Sequence, residues 1–153
     1  MREKRTIYLA YGSNLNIAQM AHRCPDAKPW GATLLHGYQL AFWGSDNHAY
    51  ATIVPAEGEY VPVALWSITA KDEIALDRYE GFPRLYRKEM VKVSWGKRSY
   101  SAMVYIMNHG KVGFPSKYYF ETIYDGYNDF NIDLEPLFQA LWDAQQAHLS
   151  RKR

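Results

Sequence analysis

The sequence predicts an α+β domain: a small mixed or antiparallel sheet, closed like a barrel, with helices on its flanks. Most predicted strands precede the last two helices, which argues against alternating strand–helix–strand units. Residues 88–95 and 98–107 are predicted strands joined by the tight turn Gly96-Lys97, so they form an antiparallel hairpin. No repeat or linker divides residues 1–153. We therefore expect one domain, with a core over residues 6–130 and a C-terminal helix over residues 133–150.

The first half of the chain supplies strands and one helix. Strands are predicted over residues 6–11, 37–43, 49–54 and 60–68. Asn16 is a suitable N-cap for a helix after the first strand, and Pro25 ends that helix. Glu57-Gly58 predicts a turn between the last two of these strands.

The second half carries three helix starts that local residues explain. Thr69 and Asp72 form a capping box for a helix that ends before Gly81. Ser116 is a suitable N-cap for the next helix, and Asp133 begins the last one. The apolar stripe of that last helix is expected to face the core; it consists of Leu134, Leu137, Phe138, Leu141 and Trp142.

Composition excludes several classes of function. Hydrophobic residues make up 48% and charged residues 22%, which is ordinary for a soluble globular protein. The net charge of +2 comes from dispersed residues, so we expect no nucleic-acid partner. Cys24 is the single cysteine, which rules out an internal disulfide and favours a reducing compartment. No signal-peptide pattern and no run of 18 apolar residues occurs, so we expect no membrane partner and a cytoplasmic location.

Common catalytic motifs are missing from the sequence. The five histidines are scattered, and none pairs with cysteine or carboxylate at ligand spacing, so we expect no metal site. No phosphate-binding loop of the Walker or dinucleotide type occurs. The tetrapeptide at residues 11–14, Tyr-Gly-Ser-Asn, lacks the second glycine of a nucleophile elbow. Two other features stand out against this background.

The first feature is a polar turn, Gly12 to Leu15, directly after the first strand. The turn runs straight into a helix N-terminus, which leaves several backbone N–H groups without partners. Those donors and the helix dipole favour an anion or a developing oxyanion at this point. The alternative is that Ser13 and Asn14 merely cap the helix.

The second feature is Glu80, in the last turn of its helix and next to Gly81. Leu76 lies one turn earlier on the same face, so the Glu80 carboxylate is expected to point toward apolar surroundings. Partial burial and the negative end of the helix dipole both disfavour the charged form. They raise the pKa of Glu80 toward the range that is useful for proton transfer. The alternative is an exposed glutamate at a helix end.

Together these features resemble the γ-glutamylcyclotransferases, a family with an AIG2-like fold. "YGSNL" at residues 11–15 follows an N-terminal strand, and "LDRYEG" at residues 76–81 ends a helix six residues before Tyr86. Further matches follow in the family's order and approximate spacing: "ATI" at 51–53, "LW" at 65–66, "VYIM" at 104–107 and "PSKYY" at 115–119. The resemblance covers nearly the whole chain.

The resemblance implies a small fold built on a closed sheet, with the pocket at "YGSNL" and no metal or organic cofactor. Enzymes of this family release 5-oxoproline from γ-glutamyl amides, because the α-amino group of the substrate attacks its own γ-carbonyl. Glu80 would then be the catalytic acid and base. The implied substrate-binding residues are Tyr11, Gly12, Ser13, Asn14, Leu15, Tyr86, Tyr105 and Tyr119.

Several points stay open at this stage. Val63 and Tyr127 depart from the family pattern and are expected to bear on the leaving-group side of the pocket. The small-molecule γ-glutamyl substrate is not specified further, and the oligomeric state is open, with a homodimer among the alternatives. A non-catalytic module that binds a small carboxylate or γ-glutamyl metabolite is the main alternative function. Hydrolysis or transfer of a γ-glutamyl group is a third.

Overall fold

The structure is a computed structural model that describes residues 4–152; residues 1–3 and 153 of the predicted domain lie outside it. Its elements, in chain order, are β1 (Thr6–Ala10), α1 (Ile17–Arg23), β2 (Lys28–Trp43), β3 (Tyr50–Ile68), α2 (Ala70–Glu80), β4 (Tyr86–Trp95), β5 (Arg98–Met107), α3 (Lys117–Asp129) and α4 (Glu135–Arg151). A single 3₁₀ turn, Ser13–Leu15, connects β1 to α1. Among the described residues, no helix has the length and apolar character that crossing a membrane requires.

The five strands form one mixed sheet in the order β2-β3-β1-β5-β4. Every neighbouring pair is antiparallel except β1 and β5, which run parallel. The central position of β1 explains why Tyr8, Leu9 and Ala10 are all buried, since both faces of a central strand are covered. The prediction of an α+β fold with a mixed sheet is confirmed.

The sheet is not closed by a backbone ladder between its edge strands, which corrects the expected barrel. Within the described residues, β2 and β4 approach each other through side chains instead. The hydroxyl of Thr33 donates to the carbonyl of Ser94 at 2.8 Å. The indole of Trp95 lies so close over Gly31 that an added Cβ would meet it at 2.6 Å. The ring fills the space that a backbone partner would need.

The hairpin of β2 and β3 is longer than the sequence predicts. β2 begins at Lys28, and β3 runs from Tyr50 to Ile68 without a turn at Glu57-Gly58. The paired residues change from Tyr38–Pro55 to His36–Tyr60. One residue of β2 therefore lies opposite four residues of β3 at this irregularity. Gly58, with φ of +81°, lies in that irregularity. The glycine therefore marks a bulge inside one long strand, which depends on the partner strand and not on local sequence.

The predicted helix starts at Asn16, Thr69 and Ser116 are confirmed. The side chain of Asn16 accepts from the N–H of Gln19. Thr69 and Asp72 form the full capping box, and Gly81 ends α2 in the left-handed conformation with φ of +67°. Each of these signals depends on contacts within one helical turn, which is why sequence alone locates them.

The predicted apolar face of α4 is confirmed only in part, because Leu137 is fully buried and Leu134 packs against the core while two other members of the stripe are exposed. The helix begins at Glu135, whose N–H donates to the Asp133 carboxylate at 3.2 Å. Phe138 and Trp142 are 47% and 57% exposed, so their predicted core position is wrong. The fully or nearly fully buried positions are Leu137, Ala140 and Ala144. Helix α4 packs against β2, and its short side chains Ala140 and Ala144 are buried.

Helix α3 packs directly on the 3₁₀ turn. A Cβ added to Gly126 would lie 2.7 Å from the backbone nitrogen of Asn16 and 2.7 Å from the carbonyl carbon of Leu15. The Leu15 side chain is fully buried beneath this contact. Backbone against backbone leaves no flexible atom to move aside, so glycine is required here for a close approach.

We expect Gly126→Ala to lower the free energy of unfolding by about 1–3 kcal/mol, because the added methyl group overpacks the turn. Helix propensity alone would predict a gain of about 1 kcal/mol for the same change, so the sign separates the two effects. Urea denaturation measures the difference. Asp125→Ala, on the exposed face of the same helix, is the matched control and should change stability by less than about 0.5 kcal/mol. Stabilisation by Gly126→Ala would contradict the close contact.

Candidate active site

A pocket of about 230 Å³ opens where β1 ends, between the 3₁₀ turn and the end of α2. Its lining residues are Tyr8, Tyr11, Gly12, Ser13, Asn14, Tyr50, Ala51, Tyr79, Glu80, Leu85, Tyr86, Tyr105 and Tyr119. These include all of the site residues predicted from sequence except Leu15. The two features that stood out in the sequence, the polar turn and Glu80, therefore share one cavity.

Two backbone N–H groups at the turn form hydrogen bonds within it, and three others do not. The N–H of Leu15 donates to the Gly12 carbonyl at 3.0 Å, and the N–H of Asn16 donates to the Ser13 carbonyl at 3.0 Å. For Gly12, Ser13 and Asn14, the structure of residues 4–152 contains no acceptor for the backbone N–H. Leu15 thus presents neither donor nor side chain to the pocket, contrary to expectation; it anchors the turn in the core.

Glu80 is the last residue of α2 and reaches the turn. Its Oε1 lies 3.4 Å from Nδ2 of Asn14. Removal of the carboxylate from water raises the pKa of Glu80 to about 7, and the positive charge of Arg23 opposes that rise. Desolvation is therefore the stronger of the two effects. At neutral pH the carboxyl group is present in both its protonated and its ionised form.

Tyrosine hydroxyls around the pocket are largely committed to structural hydrogen bonds. The hydroxyl of Tyr11 donates to the Tyr105 carbonyl at 2.6 Å, and that of Tyr86 donates to the Ala51 carbonyl at 2.6 Å. The hydroxyl of Tyr105 donates to Asp77 at 2.6 Å. Burial raises the pKa of all three phenols above the ordinary value, so they stay neutral. Their first role is to hold the wall of the pocket.

Tyr119 differs because its hydroxyl accepts a bond and keeps its proton. The N–H of Ala51 donates to the Tyr119 oxygen at 3.0 Å. Burial raises the pKa of Tyr119 well above its ordinary value, so the phenol carries its proton at neutral pH. Among the described residues that proton has no acceptor, which leaves it free for a ligand in the pocket.

Sequence reasoning missed Tyr8 and Tyr79, which complete the polar part of the site. The hydroxyl of Tyr8 accepts from Nδ2 of Asn14 at 2.8 Å. The hydroxyls of Tyr79 and Ser13 share a hydrogen bond of 2.8 Å. Tyr79 is the neighbour of Glu80 in sequence, which is a usable signal. Tyr8 lies in a strand as one of 13 tyrosines, and nothing local separates it from a core residue.

Val63 and Tyr127 do not reach the pocket. Both side chains are fully buried, Val63 in β3 and Tyr127 in α3, and neither lines the cavity. The expected effect of these two residues on the leaving-group side therefore has no direct basis. Within residues 4–152, no group of three or more His, Cys, Asp or Glu side chains could hold a metal ion.

The arrangement is suited to proton transfer next to an oxyanion or carboxylate. The backbone N–H groups of Gly12, Ser13 and Asn14 are available to donate to negative oxygen atoms, and a carboxyl group with a pKa of about 7 lines the same pocket. Their placement in one cavity is what makes the site chemically useful.

The raised pKa of Glu80 makes stability depend on pH with a definite sign. Below its ordinary value of 4.5 the group is protonated in both the folded and the unfolded state. Between about pH 4.5 and about pH 7 the unfolded chain has released this proton while the folded chain still holds it, so the folded state loses up to roughly 3 kcal/mol over this range and no more above it. We expect wild type to lose this much relative to Glu80→Gln between pH 4 and pH 8, as measured by urea denaturation at both pH values.

Glu121→Gln, at an exposed position of α3, is the matched control and should show no such pH-dependent difference from wild type. A difference between wild type and Glu80→Gln that stays constant across this pH range would contradict the burial of the carboxylate.

Solved structures share this fold. An uncharacterised human protein matches at a TM-score of 0.81 and 26% identity, over 90% of this chain and 87% of its own. A structure described as a γ-glutamyl cyclotransferase matches at a TM-score of 0.81 and 25% sequence identity. The match covers 90% of this chain and 86% of that one. A yeast γ-glutamyl cyclotransferase specific to glutathione, at 13% identity, shares the fold alone; its TM-score is 0.60, over 94% of this chain and 99% of its own.

A search of curated proteins finds no match to this chain. The family model described as "Gamma-glutamyl cyclotransferase, AIG2-like" matches residues 8–122. The matched segment runs from β1 into α3 and includes every residue that lines the pocket. The chain therefore belongs to the γ-glutamyl cyclotransferase, AIG2-like family.

Proposed function

We propose that the protein is a γ-glutamyl cyclotransferase that releases 5-oxoproline from a γ-glutamyl amine or amino acid. Its family and the structures similar to it support a γ-glutamyl cyclotransferase-type activity in general. One observation carries the finer proposal: Glu80, whose pKa is raised by burial to about 7, lines the same cavity as Gly12, Ser13 and Asn14, whose N–H groups have no acceptor within residues 4–152.

The reaction is a ring closure within the substrate. The α-amino nitrogen attacks the γ-carbonyl carbon, and the new C–N bond closes a five-membered ring. The bond between that carbon and the departing nitrogen breaks, which releases 5-oxoproline and a free amine without consumption of water. Because both reacting groups belong to one molecule, a pocket that holds the glutamyl chain folded removes much of the entropic barrier.

Glu80 has the acidity that this reaction needs from one group. Because its pKa is about 7, Glu80 is partly ionised at neutral pH, so it can accept a proton and can also donate one. Glu80 takes a proton from the attacking nitrogen and returns it to the leaving nitrogen. A single carboxyl group thus acts first as base and then as acid.

The turn is suited to bind the negative oxygen atoms of the substrate or of the transition state. The N–H groups of Gly12, Ser13 and Asn14 would donate either to the α-carboxylate or to the oxyanion that develops on the γ-carbonyl. Tyr119 lies on the same cavity, and its free proton is a further donor. Tyr11, Tyr86 and Tyr105 support the wall around these donors through their backbone and carboxylate partners.

We expect Glu80→Gln to reduce the turnover of a γ-glutamyl dipeptide by about 1,000-fold or more while the fold is retained. The amide keeps the shape of the side chain but neither accepts nor returns the proton. Release of 5-oxoproline, measured by chromatography across a panel of γ-glutamyl dipeptides and amines, is the assay. Glu121→Gln is the matched control and should retain wild-type turnover.

Other results in this assay would identify other functions. Near-normal turnover by Glu80→Gln would contradict the role of Glu80. Thermal stabilisation of wild type by γ-glutamyl compounds without any product would indicate the carboxylate-binding module instead. Release of free glutamate in place of 5-oxoproline would indicate hydrolysis.

The rim of the pocket predicts which leaving amines are accepted. Tyr50, Tyr79 and Leu85 line the cavity and are each more than 40% exposed, so the opening is aromatic and apolar. No Lys, Arg or His side chain is among the lining residues of the described pocket. An additional carboxylate on the leaving group would therefore lack a counter-charge there and would lie near Glu80.

We expect kcat/KM for γ-glutamyl-leucine to exceed that for γ-glutamyl-glutamate by about tenfold or more, as unpaired like charges disfavour the second substrate. Initial rates at several substrate concentrations and fixed ionic strength give both constants. Equal values, or a preference for the acidic leaving group, would contradict an aromatic and apolar rim without a counter-charge.

The cytoplasmic location and a homodimer remain predictions from the sequence.

A further inference from the structure

The Asn14 side chain lies between Glu80 and a cation that does not line the pocket. Arg23, at the end of α1, donates through its guanidinium group to Oδ1 of Asn14. On the other side of the amide, Nδ2 of Asn14 donates to the hydroxyl of Tyr8 at 2.8 Å and to Oε1 of Glu80 at 3.4 Å. The amide thus connects the arginine to the carboxylate.

The chemistry of the guanidinium group determines which way this amide faces. Arginine has only donors, so the atom of Asn14 that it contacts has to be the oxygen. With Oδ1 held there, the nitrogen faces Glu80 and Tyr8. The opposite orientation would place an N–H group against a guanidinium and an oxygen against the Glu80 carboxylate, which are two repulsive contacts in place of two attractive ones.

Arg23 is itself held from two sides. Its guanidinium carbon lies 3.4 Å from the centroid of the Tyr79 ring, a close cation–π contact. A second nitrogen donates to Oε1 of Gln19 at 2.8 Å, one helical turn earlier on α1. A planar guanidinium group stacks and donates at the same time, which a lysine ammonium does less well. The position of the cation is therefore defined by α1 and by the neighbour of Glu80.

We propose that Arg23 is a positioning residue for Glu80: it holds the Asn14 amide in the orientation in which Nδ2 donates to the carboxylate. This inference rests on the proposed function of Glu80 as acid and base. The contact of 3.4 Å is long, as such bonds often are in a site without substrate, and it would shorten in the complex. Arg23 acts on the reaction through Asn14 and does not contact the substrate.

Charge supports the same conclusion. The positive charge of Arg23 lowers the pKa of Glu80 and so opposes desolvation. The other titratable groups that face Glu80 are buried phenols, which are neutral at the pH of interest, so Arg23 is the charged group that acts on the carboxylate. These phenols are Tyr8 from β1, Tyr11 after β1, Tyr86 from β4 and Tyr119 from α3.

The test is the pH dependence of kcat/KM for a γ-glutamyl dipeptide in Arg23→Met and Arg23→Lys. The methionine variant loses the charge and the amide contact, so the acidic limb of its profile should move to higher pH by about one pH unit. Its rate above that limb should recover toward wild type. The lysine variant keeps a positive charge and a hydrogen-bond donor. The acidic limb of its pH profile should therefore lie between those of wild type and Arg23→Met. Arg78→Met removes an exposed cation two residues before Glu80 and should leave the limb in place.

A second readout does not depend on turnover. A ¹³C NMR titration of the Glu80 side-chain carboxyl, assigned with Glu80→Gln, should show a higher pKa in Arg23→Met than in wild type. The two failures are distinguishable: absence of 5-oxoproline with a raised pKa in the variant would overturn the proposed function alone. An unchanged pKa and limb in both Arg23 variants, or an equal loss of rate at every pH, would overturn the positioning role.

Discussion

The burial of Leu15 beneath α3 is the contact on which the rest of the site depends. Gly126 brings the helix backbone against Leu15 and Asn16, which pins the 3₁₀ turn after β1. Leu15 and Asn16 satisfy their own N–H groups within the turn, and the three preceding residues line the pocket with N–H groups that have no acceptor in residues 4–152. Leu15, which is buried and does not line the pocket, thus helps to fix the turn whose other residues do.

The second constraint is electrostatic, and it explains why a glutamate at a helix end is suited to proton transfer. Desolvation favours the protonated form of Glu80, and a nearby positive charge favours the ionised form. Arg23 acts from outside the cavity, through Asn14 and at a distance set by the Tyr79 ring. Among the described lining residues Glu80 is the one carboxylic acid, and burial raises its pKa to about 7.

Local signals in the sequence identified what depends on a few neighbouring residues. The caps at Asn16, Thr69 and Ser116, and the placement of Glu80 before Gly81, follow from contacts within one turn. The bulge at Gly58 depends on the partner strand, and which residues of α4 are buried depends on its packing against β2. The same holds for the hydroxyl partners of the tyrosines, which come from residues far away in sequence.

In the proposed function the turn binds the glutamyl group while Glu80 moves the protons. A crystal structure of the Glu80→Gln variant with a γ-glutamyl dipeptide tests this most directly. We expect the α-nitrogen within about 3.2 Å of the side chain at position 80, with a carboxylate or carbonyl oxygen on the N–H groups of Gly12, Ser13 and Asn14. A glutamyl group bound elsewhere, or an α-nitrogen turned away from position 80, would contradict it.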